Sequence, residues 1–354
     1  MGWQNILKTS PIEWLLEEEN PSVRYFTLKD LLNKEENDPE LQVAKAAIPT
    51  SRLIAGIFSK QKPEGYWEES ANPYHPKYKS SYWTIMLLGQ LGIDRNDKRV
   101  RNACEYIFQF QLDEGGFSSY TQKRALEEYA WLRRKGKSLP SPNEWASSLV
   151  FEHQYSCLTG NMAAALIRLG YGDDSRVTKA LEWLVKIQNE DGGWLCPYWK
   201  AHVKDTHSCF YGTICPLEAF SEVPEDKCTK DMKKTIENSV EFMLMHRLFK
   251  ADHHGFKIIK SDWLRFGFPW SYRYDILRGL LVMTKLGYNL TKDKRLNDAV
   301  EVLLQKRCPD GAWILESTPS SRMQTNIEAK GKPSKWITLN ALRVLKYLSK
   351  NNSQ

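Results

Sequence analysis

A seven-residue phrase recurs along the chain and constrains its fold more than any other feature. Residues 188–194 read Gln-Asn-Glu-Asp-Gly-Gly-Trp, and residues 111–117 read Gln-Leu-Asp-Glu-Gly-Gly-Phe. Looser copies occupy residues 61–67 and 307–313. A phrase that returns at intervals of tens of residues indicates a repeat architecture. The interval between the first two copies leaves room for two helices and a turn.

Two kinds of helix alternate between these phrases. Residues 157–169 are apolar on nearly every side, which is typical of a helix that is buried on nearly every side, and Gly170 suits its C-terminal cap. Residues 175–188 carry apolar side chains at the spacing i, i+4, i+7, i+8 of an amphipathic helix. The same alternation predicts buried helices at 83–91, 209–220, 274–286 and 336–348, amphipathic partners at 98–110, 231–245 and 294–305, and a first pair at 21–32 and 41–60.

This alternation predicts an all-α protein of about five to six helix pairs in two layers, with the buried helices inside. Such a stack either stays open as a solenoid or closes into an α/α toroid with a central cavity, and the pattern alone does not choose between the two. We expect residues 1–50 to form an N-terminal helical segment that packs on the first repeat. We expect residues 51–354 to form the repeat domain, with an insertion at 118–142 where the repeat spacing lengthens.

Composition bears on the ligands that the chain binds and on the compartment in which it is found. The net charge of +7 is spread along the chain rather than gathered in a stripe, which argues against nucleic-acid binding. Seven cysteines without paired spacing indicate a reduced, cytoplasmic compartment. The first residues lack the layout of a signal peptide, and no run of about 18 apolar residues would form a transmembrane segment.

The repeated turns resemble the Gln-Trp motifs of squalene–hopene and oxidosqualene cyclases, and equally the Gly-Gly-Phe turns of protein prenyltransferase β subunits. The resemblance runs from about residue 51 to residue 348 and implies an α/α toroid, whereas fold alone does not imply a reaction. We interpret the turns as structural. Gln111 and Gln188 would hydrogen-bond the next repeat, Gly192 would permit a tight turn with positive φ, and Trp194 would pack between repeats.

The string His207-Ser208-Cys209-Phe210 resembles the His-Thr-Cys-Tyr segment of prenyltransferase β subunits, in which the histidine binds zinc. The resemblance implies His207 as a ligand. The family's Asp-x-Cys partner is missing, because no aspartate stands two residues before Cys157. Cys157 and Cys209 would then complete the three or four converging ligands that zinc needs, or they are inert buried thiols. Prenyltransferase β subunits also work with a helical α partner, so a partner subunit or a homo-oligomer stays open.

Class II terpene cyclases protonate an alkene with an Asp-x-Asp-Asp motif, which this chain lacks. We consider Asp275 as a substitute acid, since burial in an apolar cavity raises the pKa of a carboxyl group and lets it deliver a proton. The alternative is a helix N-cap or a salt bridge to Arg278.

An aromatic stretch precedes Asp275 and predicts a wall for a substrate. Aromatic faces suit an isoprenoid chain or a carbocation, and an arginine among them suits a phosphate or carboxylate. The alternative is a packed loop braced by proline. The predicted substrate-binding residues are Trp263, Arg265, Phe268, Trp270, Tyr274 and Arg278, joined by Tyr78 and Lys79 near a cavity mouth that Lys77 also reaches.

Three functions remain open at this point. The first is a prenyltransferase- or cyclase-like enzyme that holds an isoprenoid or other apolar small molecule and applies acid- or metal-assisted chemistry. The second is a binding protein that uses the same cavity without catalysis. The third is a polysaccharide-active enzyme, which would need paired carboxylates or a Tyr/His/Arg set in a wide groove.

Overall fold

The computed structural model describes residues 10–195, 206–290 and 292–351, and this part of the chain is mainly helical. No helix within it is long and apolar enough to cross a membrane. In chain order the elements are α1 (Ile12–Leu15), α2 (Pro21–Phe26), α3 (Pro39–Ala47), α4 (Arg52–Phe58), α5 (Ser81–Leu88), α6 (Lys98–Phe108), α7 (Gln122–Arg134), α8 (Pro142–Glu152), α9 (Ser156–Leu166), α10 (Ser175–Lys186), α11 (Phe210–Ser221), α12 (Lys230–Met245), β1 (Lys250–Ala251), β2 (Lys257–Ile258), α13 (Ile276–Lys285), α14 (Asn297–Gln305) and α15 (Lys335–Asn351).

Six of these helices form an inner ring. Helix α9 packs against α5 on one side and α11 on the other, α13 lies between α11 and α15, and α15 packs against α2. The remaining gap closes because the ring of Phe26, at the end of α2, lies beside Gly92 just after α5. Helices α3, α6, α10, α12 and α14 pack on α2, α5, α9, α11 and α13 from outside. The predicted α/α toroid is confirmed, and the helices close into a ring instead of an open solenoid.

The two predicted kinds of helix take the two predicted layers. All 11 residues of α9 are buried, as its all-round apolar sequence requires. Helix α9 approaches α11 so closely that a Cβ atom on Gly160 would lie 2.4 Å from the backbone nitrogen of Pro216. Outer helix α10 instead buries a single face that includes Val177, Leu181 and Leu184.

The recurrent turns join neighbouring repeats. The Gln188 side chain donates from Nε2 to the carbonyl of Gly192 at 2.8 Å and to the carbonyl of Thr235, in the next outer helix, at 2.9 Å. Gly192 has a φ of 90°, and a Cβ there would lie 2.4 Å from the carbonyl oxygen of Asn238. The fully buried Trp194 donates from Nε1 to a carbonyl of α10. Gln111 makes the equivalent bonds to Gly115 and Arg176, so the structural interpretation of the turns is confirmed.

Replacing Gln188 by alanine is expected to lower the free energy of unfolding by about 2 kcal/mol, because two backbone carbonyls lose their donor at the joint between repeats. Urea unfolding followed by circular dichroism measures the loss. Gln305→Ala is the control, since its amide bonds only the exposed carboxylate of Glu301 four residues earlier. Equal stability of the two variants would contradict a joining role for Gln188.

The segment after residue 117 leaves the repeat pattern, as the sequence predicts. It contains the helices α7 and α8, which pack against each other, and α8 begins at residue 142, the predicted end of the insertion. Ala125 of α7 and Ala146 of α8 are buried, and a bond from Thr121 Oγ1, just before α7, to the carbonyl of Ala71 at 2.6 Å ties the pair to the loop before α5. The division at residue 50 and the bounds 118–142 of the insertion stay predictions.

Candidate functional site

A cavity of about 720 Å³ opens at the end of the ring where α5, α9, α11, α13 and α15 begin. The first residues of these helices and the loops before them form most of its wall. Its lining residues are Tyr74, His75, Lys77, Tyr78, Ser119, Tyr120, Tyr155, Cys157, Cys209, Tyr211, Pro269, Ser271, Tyr272, Arg273, Ser317, Thr318, Pro319, Ser321 and Arg322.

The lining combines tyrosines with positive charge. Six of its residues are tyrosines, and Lys77, Arg273 and Arg322 are cations. No aspartate or glutamate belongs to the lining among the residues that the structure describes. Partial burial and the charge of Lys77 lower the pKa of His75, so that imidazole is neutral near pH 7.

Trp83 organises part of the aromatic wall. Its ring lies 4.7 Å from that of Tyr78, 5.1 Å from that of Tyr272 and 5.6 Å from that of Tyr74, measured between centroids. Its Nε1 also donates to the carbonyl of Tyr74 at 2.7 Å, which fixes the loop before α5. Burial raises the pKa of Tyr272 well above its ordinary value, with Cys157 and Tyr74 adding to the effect, so this group remains a phenol.

The cations face the cavity with limited neutralisation. Arg322 is exposed, and its guanidinium lies 5.9 Å from the ring centroid of Tyr78. The Lys77 ammonium lies 5.7 Å from the centroid of Tyr74. Arg273 donates to the carbonyl of Arg265 at 2.7 Å, while its Nε is 3.9 Å from the Asp275 carboxylate. The positive ends of the helix dipoles at the same rim add to this potential.

Two predicted site residues, Cys157 and Cys209, do line the cavity together. Burial, reinforced by the nearby thiols of Cys215 and Cys209, raises the pKa of Cys157 well above its ordinary value. A thiol that stays protonated is a poor metal ligand and a poor nucleophile.

His207 does not join these cysteines in the cavity lining. Its side chain lies with His246, just after α12, and Asp252, just after β1. Among the described residues this is the one group of three potential metal ligands that come close together, and it contains neither cysteine. The predicted set of His207, Cys157 and Cys209 therefore needs correction: His207 turns towards the end of the outer helix, away from the ring opening.

Asp275 does not lie where an acid that acts on a ligand in the cavity would lie. Its carboxylate is fully buried, caps α13 by accepting from the backbone N–H of Arg278 at 3.0 Å, and accepts from Gly267 N at 3.0 Å and Trp270 Nε1 at 3.2 Å. Burial raises the pKa of Asp275, opposed by the charge of Arg273 and these donors. The group does not line the cavity, so the N-cap alternative describes it.

Arg278 belongs to a buried ionic network below the cavity, which corrects its predicted role in substrate binding. Its Nε lies 2.6 Å from a carboxylate oxygen of Glu218, and Glu218 also pairs with Arg168. Arg278 donates further to the carbonyls of Ser271 and Arg273, both at 2.7 Å. It therefore positions the loop that lines the cavity and does not face a ligand itself.

The predicted aromatic wall packs between helices and does not line the cavity. Phe268 stacks on Trp336 with centroids 4.5 Å apart and ring planes at 7°. Trp263 packs against Phe210 with centroids 4.5 Å apart. The hydroxyl of Tyr274 donates to the carbonyl of Leu248 at 2.7 Å.

Of the other predicted binding residues, only some line the cavity. The backbone N–H of Trp270 donates to Gln90 Oε1 at 3.0 Å, which ties its loop to α5. Arg265 is exposed and pairs with Asp262 at 3.1 Å, and the carbonyl of Lys79 accepts from Gln324 at 2.7 Å. None of these three lines the cavity, whereas Tyr78 does.

Sequence reasoning missed Tyr272, Arg273 and Arg322. The prediction took the first residues of α13, Tyr274 and Asp275, as the lining, whereas Tyr272 and Arg273 of the loop before that helix form the wall. The loop before α15 carries Arg322 without a motif that would mark it.

No protein-family model matches the chain. A squalene–hopene cyclase of Bradyrhizobium diazoefficiens is 23% identical over 154 residues, which are 43% of this chain and 20% of that protein. Over this region the chain is similar to a squalene–hopene cyclase. This match confirms the predicted resemblance to squalene–hopene cyclases, although the aligned region spans only about a fifth of that relative's length.

The solved structures to which the chain is similar include a protein from Actinoplanes, with 16% identity, a TM-score of 0.44 and coverage of 93% of this chain and 90% of that one. They also include an apo type II terpene cyclase from Scytonema, with 14% identity, a TM-score of 0.45 and coverage of 95% and 89%. A variant of that cyclase in complex with geranylgeranyl dihydroxybenzoate has 14% identity, a TM-score of 0.44 and coverage of 95% and 88%.

Proposed function

We propose that the chain binds, in its central cavity, a small molecule with an isoprenoid-like or aromatic body and an anionic group. The observation that carries this proposal is the lining of six tyrosines and three cations, with no carboxylate among the described lining residues.

The two halves of this ligand follow from the two kinds of lining group. Phenol rings present apolar faces to an unsaturated chain or an aromatic ring, and their hydroxyls bond polar substituents. Arginine pairs with carboxylate or phosphate in a bidentate geometry, and Arg273 and Arg322 lie at the same opening. The sequence similarity to a squalene–hopene cyclase supports a polyprenoid-like body.

Binding is better supported than acid-driven cyclisation. Protonation of an alkene needs a strong acid, whereas the described cavity offers phenols and thiols, and burial raises the pKa of Tyr272 and Cys157. The Asp275 carboxylate is occupied by three donors outside the lining. A polysaccharide-active enzyme would need carboxylates or a comparable acid–base set, for which the described lining offers no acidic member.

Calorimetric titration with farnesyl diphosphate, farnesol and inorganic diphosphate tests the proposal. We expect farnesyl diphosphate to bind at least about tenfold more tightly than either fragment, which corresponds to about 1.4 kcal/mol or more. Arg322→Gln is expected to remove about tenfold of the affinity for farnesyl diphosphate and to leave farnesol unaffected.

Arg265→Gln is the matched control for this experiment, because Arg265 is also an exposed loop arginine but pairs with Asp262 outside the cavity. Its affinity should equal that of the unsubstituted chain. If Arg322→Gln and Arg265→Gln bind farnesyl diphosphate equally well, the cavity is not the anion site.

A further inference from the structure

A second cluster of chemical groups lies outside the cavity. His207 stands shortly before α11, His246 caps the end of α12, and Asp252 follows β1. One ligand atom of each residue lies within 4.8 Å of those of the other two. We propose that His207, His246 and Asp252 bind a single Zn²⁺ ion.

The separations suit a tetrahedral ion. His246 Nε2 lies 3.4 Å from Asp252 Oδ1. Two ligand atoms on a tetrahedral zinc, each about 2.0–2.1 Å from the metal, are about 3.4 Å apart. The rings of His207 and His246 are nearly perpendicular, at 83°, with centroids 5.1 Å apart. Two imidazoles on one such ion have centroids about 5 Å apart, so small side-chain rotations bring the three ligands onto one metal.

Backbone carbonyls orient both imidazoles as metal ligands. His246 Nδ1 lies 2.8 Å from the carbonyl of Phe242, and His207 Nδ1 lies 2.9 Å from the carbonyl of Ser208. A ring that donates from Nδ1 presents Nε2 as its basic nitrogen, and metal-binding histidines are usually held by such a bond from the other ring nitrogen. Asp252 is steadied in turn by His253, whose Nε2 lies 3.2 Å from Asp252 Oδ2.

Aromatic rings hold the buried imidazole of His246 in place. The ring of Phe242 lies 4.7 Å from that of His246, and the ring of Phe210 lies 5.1 Å from it. His246 is 3% exposed, whereas His207 is exposed, so the cluster joins the interior of the fold to solvent. The three side chains leave one position of a tetrahedral ion for a further ligand.

Two imidazoles and one carboxylate favour zinc over magnesium or calcium, which prefer sets made of oxygen ligands. The ion would join the entrance of α11, the end of α12 and the short β1–β2 hairpin. The site is separate from the cavity lining, so it stands or falls independently of the ligand proposed above.

The test uses the full chain after treatment with a chelator. Titration with zinc chloride should show one tight site, native mass spectrometry should show the mass of one zinc ion, and zinc should raise the melting temperature. Asp252→Asn and His207→Gln, both at positions that are not fully buried, should each weaken zinc binding by at least about tenfold and reduce the zinc-dependent rise in melting temperature.

His254→Ala is the control, since this exposed histidine lies in the same segment but outside the cluster. It should bind zinc as tightly as the unsubstituted chain. Absence of a stoichiometric zinc site, or an Asp252→Asn variant that folds normally and retains the original zinc affinity, would overturn the proposal.

Discussion

Replacement of Glu218 by glutamine is expected to lower the free energy of unfolding by about 3–5 kcal/mol, because it breaks a buried ion pair by removing one partner. Glu218 lies between Arg168 and Arg278 with only 3% of its surface exposed. Arg278 is equally enclosed and would keep its charge without the carboxylate that compensates it. Urea unfolding at neutral pH measures the loss.

Glu241→Gln is the matched control for this substitution. Glu241 also pairs with an arginine, Arg295, at 2.7 Å, but its side chain is 55% exposed. We expect its removal to cost less than about 1 kcal/mol, since water screens such a pair. Similar losses in the two variants would show that the buried network does not stabilise the ring.

The same network predicts how stability depends on acidity. Burial disfavours the ionised forms of Glu218 and Glu222, but the arginines and Lys285 outweigh it and hold both pKa values at about 2. Because glutamate in an unfolded chain has a pKa of about 4.3, the folded state holds its protons less tightly. This contribution to stability is therefore complete above that pKa and disappears as the pH falls towards 2. Circular dichroism against pH should show unfolding in this window.

Asp275→Asn is expected to lower the free energy of unfolding by about 3 kcal/mol, since an amide cannot accept from all the groups that surround the carboxylate. The N–H groups of Gly267, Arg278 and the Trp270 indole all point at its two oxygens. An asparagine has one carbonyl oxygen, and its NH₂ group would face at least one of these donors. Thermal unfolding measures the loss, and ligand affinity of the folded fraction should be unchanged.

Asp97→Asn provides the comparison, because Asp97 also caps a helix but is partly exposed. Asparagine caps helices about as well as aspartate, so we expect a loss below about 1 kcal/mol. An Asp275→Asn variant whose melting temperature is unchanged would contradict this structural role.

The layer that each helix occupies was predictable, because the local pattern of apolar residues shows how many sides of the helix are buried. The run of apolar and small residues in α9 and the one-sided pattern of α10 each report which layer the helix occupies. Ring closure was not predictable, because it depends on contacts such as that between Phe26 and Trp336, whose rings lie 6.2 Å apart. The spacing of the turns contains no information about such a distant pair.

Side-chain direction limited the prediction of the sites. Of the predicted site residues, Tyr78, Cys157 and Cys209 line the cavity. The sequence did not show that the loop before α13 folds back so that Gly267 and Trp270 donate to Asp275.

The histidine and aspartate of the second cluster were equally hard to foresee. His246 reads as the boundary residue of an amphipathic helix, and Asp252 reads as part of a short connection. Only the tertiary fold brings both of them to His207.

The contact of α15 with α2 and with the residues just after α2 has a consequence for biosynthesis. Arg343 Nε lies 2.8 Å from Asp30 Oδ2, and Lys346 Nζ lies 2.6 Å from Asn33 Oδ1, across 313 positions of sequence in both cases. While the ribosome makes this chain, α2 emerges early and must wait for α15 before its apolar flank is covered. Folding that depends on so distant a partner is slow and exposes the nascent chain to aggregation. Chaperone demand should therefore last until α15 has left the exit tunnel.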